Sequence, residues 1–190
     1  MNIVLLGIQG SGKGTQAEIM AKRYNLSIFE MGNEFRHLAE EDSELGHKIK
    51  SIIEHGKLVP AKIVIQVLQG FLKKIPKAQS VIFDGIPRNQ AQQKAFNRLM
   101  LKEKRDFRVV NIDIPEDETI KRLVLRSRHD DTPEIIKQRI RIFLQNTKPV
   151  IQNYRRKKLV IEVNGNQSIK QVAAEIHRHL DNYYISQRQH

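Results

Sequence analysis

The chain opens on a short, largely apolar run, Asn2-Ile3-Val4-Leu5-Leu6, which passes directly into Gly7-Ile8-Gln9-Gly10-Ser11-Gly12-Lys13-Gly14-Thr15-Gln16. Four of the 10 glycines fall between Gly7 and Gly14. Ordering a glycine in a regular element costs about 0.5–1 kcal/mol relative to alanine. A chain concentrates that cost where backbone must approach something closely or adopt positive φ. The run reads as a buried strand, and Ala17, Ile19, Met20, Ala21 and Tyr24 beyond the turn suit an amphipathic helix. In the order strand, glycine-rich turn, helix, the turn's N–H groups and the helix's positive end surround an anion, with Lys13 as a point charge. A tight turn that binds nothing needs neither four glycines nor a lysine.

The spacing G-x-x-x-x-G-K from Gly7 to Lys13 is that of the phosphate loop of nucleotide triphosphatases. The match is imperfect. Gly14 follows the lysine where Ser or Thr is usual, and the hydroxyl comes one place later at Thr15.

Composition narrows the class. A chain of 190 residues is expected to be one domain with a single sizeable core. With no cysteine there is no disulfide and no Cys-type zinc site. The first strand is read from residue 2, so no signal peptide is expected, and no apolar run approaches the roughly 20 residues of a membrane span. A cytoplasmic location is expected. The net charge of +12 suits nucleic acid, an acidic membrane surface or small polyanionic substrates. Lys73-Lys74, Lys102 to Arg105 and Arg155 to Lys158 read as solvated helix ends, so the discriminating cations lie elsewhere.

Four further apolar runs follow: Leu26 to Phe29, Val81-Ile82-Phe83, Val109 to Ile114, and Leu159 to Val163. Long helix-patterned stretches separate them, which predicts a parallel sheet with helices on both faces. Ligands of such sheets bind at the C-terminal strand edge. Asp84 emerges there, placed to organise Mg²⁺ and its waters, with capping of the next helix as the plainer reading. Arg88 follows a Gly-x-Pro turn that aims its guanidinium. Arg122 and Arg126 are i and i+4 on a helix expected from Pro115-Glu116, a like-charge pair that costs about 0.2–0.5 kcal/mol until a polyphosphate lies between them. Beyond Arg128-His129-Asp130-Asp131, Thr132 reads as an N-cap with Pro133 at the first helical position. The helix it starts is expected to carry Ile136, Ile140, Phe143, Leu144, Val150, Ile151 and Tyr154 on one stripe, with Arg139 off its centre and able to face a cleft.

These residues together resemble the nucleoside monophosphate kinases, adenylate kinases most of all. Gly7 to Gln16 is similar to the family's G-x-P-G-x-G-K-G-T-Q loop, Asp84 to Arg88 to its D-G-F-P-R, and Glu44 to Pro60 to the helical stretch that closes over the monophosphate. The resemblance implies a P-loop three-layer α/β fold: a central five-stranded parallel sheet flanked by helices, with a helical cover near residues 30–60 and a short lid near 127–138. It implies a phosphotransferase that moves the γ-phosphoryl group of MgATP to a nucleoside monophosphate, with Mg²⁺ as cofactor. Gly10, Ser11, Gly12, Lys13, Gly14 and Thr15 would hold the donor phosphates, and Arg122 and Gly165 would border the donor base. Met31, Gly32, Arg36, Lys57, Val59, Gly85, Arg88 and Gln92 would line the acceptor site. Arg126, Arg128 and Arg139 would neutralise the transferring group, the last two also reaching the acceptor. Asp84, through water, and Thr15 would hold the metal. Asp130 and Asp131 read either as lid carboxylates paired with arginines or as plain helix-start charge.

The pattern departs from the family at Gln9, usually proline; at Glu30-Met31-Gly32-Asn33, where adenylate kinases read S-T-G-D; and at Ile86, usually phenylalanine. Met31 packs against a base without a directional hydrogen bond. Gln92 matches adenylate kinases and favours AMP, whereas Arg88-Asn89-Gln90 and Phe143 to Pro149 look more like UMP/CMP kinases. A UMP/CMP kinase and a nucleotide-binding regulator without turnover stay open beside AMP phosphorylation. Nucleic acid and membrane partners are not expected, and the resemblance leans toward a monomer. His177 and His179 read as ordinary surface histidines.

Overall fold

A computed structural model describes residues 1–126 and 132–188, with side chains through residue 125 and over 132–181. Its strands are β1 (Asn2–Leu6), β2 (Ser27–Glu30), β3 (Val81–Asp84), β4 (Phe107–Asp113) and β5 (Val160–Asn164). They form one parallel sheet in the order β2-β3-β1-β4-β5, as the alternation of strands and helices predicts.

Successive strand side chains point to opposite faces, and the central strands use both. Val4, Leu6, Val81, Phe83 and Val109 enter one apolar cluster; Ile3, Leu5, Ile82, Val110 and Ile112 enter the other. Helices α1 (Lys13–Tyr24) and α9 (Ile169–Arg188) close the second face with Ala17, Met20, Val172, Ile176 and Leu180. On the first face, α4 (Ala61–Lys74), α5 (Gln90–Lys102) and α8 (Lys148–Arg156) pack Leu68, Phe96 and Tyr154 on the sheet. Also on that side lie α2 (Met31–Glu40) and α3 (Glu44–Glu54), which contribute Phe35 and Ile49. Each fully buried side chain of this kind contributes about 1.5–3 kcal/mol. A one-residue slip would exchange the two sets between differently shaped cores, so the alternation fixes the register.

Two more helices, α6 (Glu116–Arg126) and α7 (Pro133–Ile142), flank the segment that falls outside the described residues. Thr132 caps α7 as its sequence predicts: its hydroxyl accepts from the Ile135 N–H at 3.3 Å, with Pro133 in the first turn.

The single stripe expected from Ile136 to Tyr154 needs correction. Between α7 and α8 the backbone takes a π-helical turn, Phe143–Thr147, which adds a residue per turn and rotates the face. Leu144 is consequently 40% exposed, while Ile136, Ile140, Val150, Ile151 and Tyr154 stay buried. His177 is likewise no simple surface residue. It is half-buried between α1 and α9, edge-on to the Tyr24 ring, and burial holds its imidazole below the usual value, whereas His179 is exposed.

Candidate active site

Parallel pairing brings three strand ends to one edge. Leu5 lies opposite Asp84, and Asp84 opposite Glu30, so the turns after β1, β2 and β3 open side by side. A cleft of about 540 Å³ lies over this edge. Its walls include Gly7, Gly10, Gly12 and Lys13 of the first turn, Thr15, Glu30, Arg36, Lys57, Asp84, Arg88, Arg122 and Arg139.

The first turn is shaped for close approach. A Cβ on Gly7 would stand 2.3 Å from the Ile112 carbonyl oxygen, so no larger residue fits between β1 and β4. The Lys13 ammonium folds back over the turn and donates to the carbonyls of Gly7 and Ile8, both at 2.9 Å. No side chain caps α1, whose N-terminal flank Gly12 is left-handed at φ +91°. The first-turn N–H groups and the helix dipole thus face the cleft beside a cation.

Asp84 ends β3 with its carboxyl buried in the wall. Burial pushes its pKa above the ordinary carboxylate range, with Lys13 opposing, Glu30 adding to the rise and Arg88 opposing. Arg88 is held from three sides. Its Nε donates to the Gly85 carbonyl at 2.7 Å, its N–H to Gln92 Oε1 at 2.7 Å, and its carbonyl accepts from Thr147 Oγ1 at 2.9 Å. A Cβ on Gly85 would lie 2.8 Å from Arg88 Nη2, so the guanidinium lies against bare backbone. Burial pulls the Arg88 pKa down; Asp84 opposes this, and the nearby Arg139 and Arg36 charges add to it. An anion placed among Arg36, Arg88 and Arg139 would relieve that repulsion.

On the opposite wall, Arg122 Nε donates to Glu118 Oε1 at 2.7 Å and Nη2 to the Gly165 carbonyl at 3.2 Å. Residues assigned from the sequence to the donor base therefore meet. Three residues assigned to the acceptor lie in the interior. Met31 and Val59 are buried in the first apolar cluster. Gln92 is buried and spends its amide on the Arg88 N–H and, at 3.0 Å from Nε2, on the Val59 carbonyl. The side chain of Arg126, with Arg128, Asp130 and Asp131, lies outside the described residues.

A family model for adenylate kinase matches residues 5–159. The chain belongs to the adenylate kinase family. It is 34% identical over 206 aligned positions to an adenylate kinase of Dehalococcoides mccartyi, covering 92% of this chain and 95% of that one. An adenylate kinase of Bacteroides thetaiotaomicron is 33% identical over 181 positions, covering 93% and 96% of the two chains. One of Archaeoglobus fulgidus is 32% identical over 209 positions, covering 93% and 96%. The matches to these relatives cover more of the chain than the family model does. Membership makes the chain a phosphotransferase that binds nucleotides. Among the described residues, no helix is long and apolar enough to cross a membrane.

Two residues of this cleft were given no role from the sequence. Thr147 reaches the Arg88 carbonyl only because the π turn rotates it inward. Glu30 stands on the cleft wall, and its signal was the departure at Glu30-Met31-Gly32-Asn33 itself.

Proposed function

We propose that this chain transfers the γ-phosphoryl group of ATP to AMP, giving two ADP. The observation that carries the reading is the convergence of Lys13, Arg36, Arg88, Arg122 and Arg139 on one cleft over the phosphate turn. In this reading the amides of Gly10 to Thr15 and Lys13 hold the donor phosphates. Arg122 and the backbone at Gly165 flank the donor base. Arg36 and Arg88 hold the acceptor's phosphate, and Gly32, Lys57, Val59 and Gly85 border its nucleoside. Met31 backs that pocket from the core. Gln92 shares the Val59 carbonyl with an incoming adenine amine.

No general base is required, because the acceptor is already a phosphate oxygen. Catalysis is alignment of an in-line transfer plus neutralisation of spreading charge. Arg88 is pre-aimed for this by its three anchors, and Arg139, with Arg126 and Arg128, supplies the remaining charge. Water would compete as acceptor, so the cover at 30–60 and the lid at 127–138 exclude it on closing. The oxygen donors present suit a hard cation that keeps several waters. Asp84 through water and the Thr15 hydroxyl would hold Mg²⁺, which when bound offsets charge on the donor phosphates. The same reading, following the family resemblance, has the enzyme act as a monomer in the cytoplasm.

Incubating the protein with MgATP and AMP, CMP, UMP, GMP or dAMP separately tests this. Diphosphate is expected to form fastest from AMP. Faster formation from CMP or UMP would replace the acceptor, and tight ATP binding with no diphosphate from any acceptor would leave a regulator.

A further inference from the structure

Glu30 ends β2 directly opposite Asp84 and lines the same cleft. It stands at the N-terminal flank of α2 but makes no side-chain cap there. Its carboxylate turns instead to the guanidinium of Arg36, 3.4 Å from Nη2, and accepts a second bond from Asn33 Nδ2. Asn33 Oδ1 accepts from the same Arg36 Nη2, which closes a three-residue ring. The guanidinium rests on Gly32, where a Cβ would come within 3.3 Å of Nη1. Both partners remain reachable, with side-chain exposures of 39% for Arg36 and 33% for Glu30.

A carboxylate and a phosphate present the same planar or near-planar pair of oxygens to an arginine fork, and the phosphate dianion carries more charge. We propose that Glu30 sets the affinity for the acceptor by occupying Arg36: its carboxylate stands where the monophosphate's oxygens bind and is displaced when they arrive. The inference rests on the assignment of Arg36 to the acceptor phosphate. The donor's phosphates, at Lys13 and the first turn, are held by groups that Glu30 does not touch. The electrostatic effect of Glu30 on Arg88 and Asp84 fits a charge lodged in the phosphate subsite.

The test is calorimetric titration of the full chain and of Glu30→Gln with AMP, CMP, UMP and ATP separately, repeated in an Arg36→Ala background. The nucleoside monophosphate that binds is expected to bind Glu30→Gln about threefold to tenfold more tightly. ATP affinity should stay within twofold, and Arg36→Ala should abolish the gain. Glu30→Ser is expected to behave as Glu30→Gln does. Unchanged or weaker monophosphate binding, an equal gain for ATP, or a gain that persists without Arg36 would each overturn the proposal. A gain seen for CMP or UMP with AMP not bound would uphold Glu30's role and overturn AMP as the acceptor, which separates the two claims.

Discussion

Asp84 shows how a single residue is held against its own preference. Its carboxyl sits in the wall of the cleft with burial pushing its pKa up. A carboxyl raised in the folded state opposes folding once ionised. That penalty is absent below the ordinary carboxylate value and complete above the raised one. Asp84→Asn is therefore expected to raise Tm at about pH 7 and to leave it unchanged at about pH 3, where both states hold the proton. Transfer should fall by about tenfold or more if the carboxylate holds the metal's waters. Calorimetry and an ADP-formation assay check the two halves, and an unchanged Tm at about pH 7 would contradict the first. At this scale the sequence was legible for residues whose chemistry is written in their type and spacing. Lys13, Arg36, Asp84, Arg88, Arg122 and Arg139 all meet in the cleft. It was less legible at Met31, Val59 and Gln92, because spacing says which side of an element a residue occupies, not which neighbour claims its polar atoms. The Gln92 amide is claimed by Arg88 and Val59.

Among the elements, strand existence and order of types followed from apolar runs, and boundaries moved by one or two residues, as with β4 starting at Phe107. The π turn at Phe143–Thr147 could not be seen the same way, since the apolar residues on either side still satisfy a helical period. What the turn does is local and specific: it carries Thr147 to the Arg88 carbonyl. A second contact joins elements far apart in sequence. Gln138 Nε2 on α7 donates to the His55 carbonyl at 2.8 Å, and its amide lies over Gly56 in the loop after α3. This links the loop after α3 to α7, within the segments proposed above as cover and lid. A partly exposed hydrogen bond of this kind contributes about 0.5–1.5 kcal/mol. Gln138→Ala is expected to speed amide hydrogen exchange at residues 54–57 by about twofold to tenfold while leaving the β1 and β4 amides unaffected. Exchange in that loop at the parent rate would show that the contact does not restrain it.

For the molecule as a whole, parallel pairing does the assembling. Turns after β1, β2 and β3 are distant in sequence, yet the register of Leu5, Asp84 and Glu30 puts them on one edge. Helices α6 and α7 then bring Arg122 and Arg139 over the same opening. The net charge of +12 stops being puzzling for the part of it gathered there, since two nucleotides are polyanions. Sequence composition carried the excess charge but not its distribution, because residues 36, 88, 122 and 139 share a cleft only through tertiary structure. On the proposed function, this one opening seats a donor and an acceptor nucleotide end to end. Titration with a compound in which a polyphosphate bridge joins two adenosines tests it most directly. One molecule is expected to bind per chain and to displace both ATP and AMP; displacement of one nucleotide while the other stays bound would rule out a shared opening.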